Sequence, residues 1–187
     1  MKPAALLALL AATLATTALA QGLMRPAVTR MFISPSGEPF RPGAQVRDPF
    51  DSWFDRVDAN HDGRIDRAEF RADAEAFFRK LDLNGDGVID GFEIAHYETA
   101  IAPELAASTE EHAVSTSPEG PAMLIADPEP VSSADLALNS RITLAEWLQA
   151  ADRRFDLLDK KRQGFLTRAD LIALLPKGAR PPGASGR

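Results

Sequence analysis

Between residues 48 and 100 the apolar positions fall into two helical stripes. Phe50, Trp53, Phe54 and Val57 recur at i, i+3, i+4 and i+7, and Phe70, Ala74, Phe77, Phe78 and Leu81 at i, i+4, i+7, i+8 and i+11. Asp48-Pro49 suits the start of the first stripe, with an N-cap carboxylate followed by proline at the first helical position. Phe92, Ile94, Ala95 and Tyr97 continue a further helix to about Ala100. A last one runs through Leu171, Ile172, Leu174 and Leu175 and stops at Pro176. The pattern predicts an all-α chain.

Two polar stretches punctuate these helices, and they share one spacing. Residues 58–69 (DANHDGRIDRAE) and 82–93 (DLNGDGVIDGFE) both read D-x-N-x-D-G, with glutamate at the twelfth position. Each gathers four carboxylates into a short loop, a mutual repulsion hard to explain except by a bound cation, with a solvated acidic turn as the plainer alternative. The pair resembles the EF-hand family. That resemblance implies two calcium ions, each taking about 6–8 oxygens. It assigns side-chain oxygens to Asp58, Asn60 and Asp62 in the first loop and to Asp82, Asn84 and Asp86 in the second. Arg64 and Val88 would contribute their carbonyls, Asp66 and Asp90 would act through water, and Glu69 and Glu93 would bind with both oxygens. Gly63 and Gly87 supply the sharp turn at position 6. Ile65 and Ile89 stand at position 8, where such loops pair through a short backbone bridge.

The two loops begin 24 residues apart, so the helix between them must be exit helix for one and entering helix for the other. Its length sets the loops about 20 Å apart. The same spacing returns after an offset of 77 residues: Arg141-Ile142, Ala145-Glu146, Phe155, Leu158-Asp159 and Gly164 repeat Arg64-Ile65, Ala68-Glu69, Phe78, Leu81-Asp82 and Gly87. The expected architecture is therefore a helix-loop-helix array of two pseudo-repeats, each with two loops on one central helix. The later loops are degenerate. Loop 135–146 keeps Asp135, Asn139, Thr143 and Glu146 but has Ala137 and Ser140 at positions 3 and 6. Loop 159–170 has Lys161 and Gln163 at positions 3 and 5, and the shorter Asp170 at position 12. Lysine at a ligand position repels calcium. If helices 66–81 and 143–158 pack antiparallel, the first loop meets the fourth and the second meets the third. Position-8 residues Ile65, Ile89, Ile142 and Leu166 would make the bridges.

Composition adds compartment and partners. An apolar and small-residue run from Ala4 to Ala20 follows Lys2 and ends Ala18-Leu19-Ala20, so residues 1–20 read as a signal peptide. Its Ala/Thr-rich make-up favours this over the alternative, an uncleaved anchor, and no membrane insertion is expected after cleavage. The protein is expected in the periplasm or outside the cell. It contains no cysteine, which excludes disulfides and thiol chemistry. Net charge is −6, without a basic face, which argues against nucleic acid. The remaining segments are an N-terminal extended arm (21–47), the competent repeat (48–100), a Pro/Ser/Glu/Ala linker (101–130), the degenerate repeat (131–176) and a Gly/Pro/Arg-rich tail (177–187) expected to be disordered. Met31, Phe32, Ile33 and Phe40 are too apolar for a free arm. They either pack on the domain or fill a groove as a built-in competitor for partners. Pro128 and Pro130 stand where the third loop's entering helix should be.

No catalytic constellation is present. His61, His96 and His112 are isolated, and no Ser-His-Asp order or phosphate-binding glycine loop occurs. The expected function is calcium binding by an exported non-enzymatic protein, as a sensor, a buffer or a calcium-stabilised module. Bacterial calmodulin-like EF-hand proteins are the subgroup it resembles. An unidentified protein partner is compatible with this. The alternative is a cell-envelope scaffold in which calcium is secondary.

Overall fold

The computed structural model describes residues 31–43, 48–105, 122–123 and 129–175. The expected leader (1–20), residues 21–30 of the arm, most of the linker, the tail, His112, Pro128 and Pro176 lie outside the described residues. Helix α1 (Pro49–Val57) starts as its sequence dictates: Asp48 accepts the Phe50 N–H at 2.8 Å and Pro49 fills the first position. It buries Phe50, Trp53, Phe54 and Val57. After strand β3 (Arg64–Asp66), helix α2 (Arg67–Leu81) buries the whole of its predicted stripe. Strand β4 (Val88–Ile89) leads into α3 (Gly91–His96), and a π-helical turn extends it through Tyr97–Ile101. In the second half, strand β6 (Ile142–Thr143) precedes α4 (Leu144–Leu158), and β7 (Phe165–Thr167) precedes α5 (Arg168–Leu174). Among the described residues (129 onward) no α-helix leads into the third loop; a single 3₁₀ turn, Ser132–Ala134, stands there.

Helices α2 and α4 run antiparallel at the centre. Phe70 near the start of α2 meets Phe155 near the end of α4, with ring centroids 5.5 Å apart, while Phe78 meets Trp147 at 6.0 Å. The buried indole of Trp147 donates to the Ala74 carbonyl at 2.7 Å. Outside this apolar seam Arg67 bonds to Asp152 and Asp156, and Arg71 to Asp152. Because each helix carries a loop at either end, this packing decides which loops touch. Ile65 pairs with Leu166 in the antiparallel β3–β7 ladder, and Ile89 with Ile142 in β4–β6. The first loop therefore meets the fourth, and the second meets the third. All four bridge residues are 0% exposed, so the ladders close one continuous core.

The all-α expectation needs correction in detail. Seven strands of two or three residues occur among the described residues. Four of them are the bridge segments; β3, β6 and β7 end on the N-cap of the following helix and β4 directly precedes one, and all four caps are extended. The other three lie where the sequence shows only an arm and a linker. Strands β1 (Phe32–Ile33) and β2 (Pro39–Phe40) form a hairpin, and β5 (Ala122–Met123) pairs parallel to β1. Phe32 and Ile33 are 2% and 1% exposed, Phe32 lying against Phe40, Phe50 and Trp53. The hairpin turn is crowded. A side chain on Gly37 (φ +95°) would come within 2.9 Å of Pro130 Cγ and Tyr97 Oη, and Tyr97 donates to the Gly37 carbonyl at 2.7 Å. Ala102 and Leu105, placed in the linker by sequence, are also buried.

Replacing Trp147 with Phe keeps an apolar ring at this position but removes the donor to Ala74 and part of the indole's packing. The expected cost is about 1–3 kcal/mol of unfolding free energy, read by denaturant titration in chelator. A loss below ~0.5 kcal/mol would show that the indole bond does not hold the two central helices.

Candidate metal centre

Each of the first two loops is set between a helix end and a helix start. The Asp58 N–H bonds to the Phe54 carbonyl, closing α1, and the Asp82 N–H bonds to that of Phe78, closing α2. At the far end Asp66 and Glu69 form a reciprocal capping box on α2, and Asp90 and Glu93 form another on α3. The position-12 glutamates are thus held by helix chemistry.

Inside the loops the two hydrogen-bond networks match. Asp58 accepts the N–H groups of Asp62 (3.0 Å) and Gly63 (2.9 Å); Asp82 accepts those of Asp86 (3.1 Å) and Gly87 (2.9 Å). Asn60 Oδ1 and Asn84 Oδ1 accept from Asp62 and Asp86, each at 2.8 Å. Asp62 takes the Arg64 N–H and Asp86 the Val88 N–H, each at 2.9 Å. Glu69 Oε1 accepts from Ala59 and Asn60, and Glu93 Oε1 from Leu83 and Asn84. Asp58 (6% exposed) and Glu93 (2%) are buried carboxylates. The Arg64 guanidinium lies over the Phe165 ring, 4.3 Å from its centroid, and so packs on the neighbouring loop. His61 at position 4 is exposed.

The backbone turns alike in all four loops. Position 4 has positive φ at His61 (+58°), Gly85 (+72°), Leu138 (+54°) and Arg162 (+54°). Position 6 does so at Gly63 (+80°), Gly87 (+83°), Ser140 (+58°) and Gly164 (+80°). Glycine accepts this region freely, whereas Ser140 adopts it at a cost of roughly 1 kcal/mol. Asp135 still takes the N–H groups of Asn139 and Ser140, and Thr143 with Glu146 still caps α4. In the fourth loop Asp159 receives Gln163 and Gly164. Asp170 accepts from Lys161 Nζ at 2.6 Å, from Gln163 Nε2 at 2.9 Å and from Thr167 Oγ1 at 2.6 Å. By sequence alone Lys161 is a charge that repels metal; the structure adds its bridge to Asp170. The available signal was a cation at position 3 facing a shortened carboxylate at position 12.

The donor chemistry of the first two loops fits a hard cation. The side-chain donors that these two loops offer at positions 1, 3, 5, 9 and 12 are Asp, Asn and Glu oxygens, with no nitrogen or sulfur donor among them. Among the described residues, no three His, Cys, Asp or Glu side chains form a ready-made metal cluster. The oxygens instead accept the loop's own N–H groups, and the full donor set includes asparagine and backbone carbonyls besides carboxylates. The family model described as EF hand matches residues 50–72 and 74–95. This supports placing these segments in the EF-hand superfamily, with calcium as the implied ion. No curated protein and no solved structure matches the chain.

Two outcomes follow from the degenerate loops. Lys161 first, then Thr167 and Gln163, against some burial, hold the Asp170 carboxyl at about 2, below its ordinary 3.8. A depressed carboxylate stabilises the fold above about 3.8, and that contribution is lost as pH falls through about 2. Carboxyl-carbon NMR titration should show this midpoint, and Lys161→Met should raise it; an unchanged midpoint would sink the assignment. Separately, Ser140→Gly should raise stability by about 0.4–1 kcal/mol, offset by glycine's greater unfolded-state freedom. Thermal unfolding in chelator would read this, and a destabilised variant would contradict it.

Proposed function

We propose that the protein is exported and non-enzymatic, that loops 58–69 and 82–93 each take one calcium ion, and that the ions stabilise a fold that stays closed. The Ala4–Ala20 run supports export. Among the described residues no helix is long and apolar enough to cross a membrane. The shared backbone turns and the crossed loop pairing support two pseudo-repeats, of which only the first retains complete ligand sets.

The observation that carries the closed reading is the strap laid by the hairpin. Glu38 bonds to Arg56 of α1 at 2.6 Å and to Lys80 of α2 at 2.5 Å, tying together the two helices that flank the first loop. Burial pushes the Glu38 carboxyl up, but the hydrogen bonds and charges of Arg56 and Lys80 outweigh it and hold it below the ordinary range. Arg41 extends the strap to Glu104 (2.9 Å) and to the Ile101 carbonyl (2.6 Å) beyond α3. A sensor must swing such helices apart to expose a groove. Metal that binds only the closed fold instead adds stability, about 2.7 kcal/mol per site at a hundredfold excess over Kd.

Calorimetric titration with calcium in excess magnesium tests this, beside Glu69→Gln and Glu93→Gln. Two sites are expected, one lost with each substitution. The melting temperature should rise without added binding of a hydrophobic dye. Calcium-induced dye binding would replace the closed reading with a sensor. No heat and no change in tryptophan fluorescence would leave a scaffold with relic loops.

A further inference from the structure

We propose that the fourth loop carries its own cation. The Lys161 ammonium joins positions 3 and 12 in place of a metal, and so keeps 159–170 closed as a metal-independent brace for calcium loop 58–69. The proposal rests on the reading that loop 58–69 binds calcium.

The charge pattern of the fourth loop is reversed. Loop 82–93 holds four carboxylates and no cation, whereas loop 159–170 has Asp159 and Asp170 against Lys160, Lys161, Arg162 and Arg168. A further cation is not needed there and would be repelled. The carboxylate at position 12 is also one methylene shorter. In the first two loops the position-12 glutamate reaches the backbone N–H groups at positions 2 and 3. Asp170 instead accepts from side chains, with Lys161 and Gln163 reaching it from positions 3 and 5. Thr167 adds its hydroxyl from position 9. One anionic acceptor thus receives three donors, which closes the loop across its width. The loop keeps the same left-handed turns as the acidic ones, at Arg162 and Gly164.

This closure acts on the first loop through the ladder. Thr167, Leu166 and Phe165 pair with Arg64, Ile65 and Asp66, in that order. Arg64 and Asp66 hold positions 7 and 9 of the first loop. Phe165 also carries the Arg64 guanidinium. A strand held from the fourth loop therefore fixes two ligand positions before any ion arrives, and lowers the ordering cost of binding. Loop 82–93 pairs with Ile142–Thr143 instead and gains nothing from Lys161.

The test uses the whole purified protein and a Lys161→Met/Gln163→Met variant, with amide exchange followed in chelator. In the unaltered protein the Gln163, Gly164 and Leu166 amides should exchange more slowly than those of Asp62 and Gly63. Lys161 is 68% exposed, so its bridge is modest. Losing it together with the Gln163 bond should speed exchange at these three amides about tenfold. Calcium titrated into the Glu93→Gln background should then bind loop 58–69 about threefold more weakly, while in the Glu69→Gln background loop 82–93 should be unmoved. Lys161→Arg keeps a cation and should keep the protection. Unchanged exchange in the double variant, or equal losses with Lys161→Arg, would overturn the proposal. If the unaltered protein binds no calcium, the functional reading fails, while exchange in chelator still decides whether the fourth loop is closed by its own cation.

Discussion

The antiparallel contact of α2 and α4 is the constraint from which the rest of the molecule follows. Its centre pairs a small residue with a large one. Ala74 has no exposed surface, and the indole N–H of Trp147 bonds to its carbonyl. Aromatic contacts at either end, Phe70 with Phe155 and Phe78 with Trp147, fix the sliding register of the two helices. The Arg67 and Arg71 bonds to Asp152 and Asp156 then follow from that register. Because both helices have loops at each end, one packing choice sets two loop pairings at once. The β3–β7 and β4–β6 ladders are its consequences, and a shift of either helix would break both.

That geometry concentrates negative charge at two points of one half and must balance it. In the first half the carboxylates accept N–H groups of the loop backbone, which places partial positive charge among them but leaves net charge of one sign. The second half reaches similar turns by other means. The third loop drops to fewer carboxylates and accepts strain at Ser140, while the fourth spans the gap with an ammonium group. Three solutions to one electrostatic problem therefore share one backbone shape. The shape follows from the helix caps and the position-8 ladders, while the side chains at positions 3, 5 and 12 differ from loop to loop.

What was legible in the sequence is what repeats with fixed spacing. The helix stripes, the Asp48-Pro49 start, the two acidic loops and the 77-residue offset depend on local rules, so residue order was enough to find them. The hairpin was not legible, because strands of two residues give no alternation to read. Phe32 and Ile33 announced burial by composition, but their partners Phe50 and Trp53 are set by tertiary packing. Ala102 and Leu105 failed for a similar reason: single apolar residues among Pro, Ser and Glu carry no period. Lys161 was visible, but its role was not. A charge read in isolation predicts repulsion of metal, whereas the bridge to Asp170 appears only once positions 3 and 12 face each other. Phe92 shows the converse limit, an aromatic residue on a helix that remains 75% exposed.

Energetic scale separates a staple from a switch. Moving α1 away from α2 and the hairpin would uncover Phe32, Phe50, Trp53 and Phe54, all buried at 2% exposure or less. At about 1.5–3 kcal/mol for each side chain, that costs roughly 6–12 kcal/mol before the Glu38 bonds are counted. A ligand can shift such an equilibrium only by the difference between its affinities for the two states. To reverse a closed bias of that size, calcium would have to bind an open form more tightly by several powers of ten. The two loops do not favour that outcome. Their position-12 glutamates are already held by capping boxes in the closed fold, Glu69 with Asp66 and Glu93 with Asp90. On the function proposed above, ion binding works in the same direction as the strap, and both deepen one conformation.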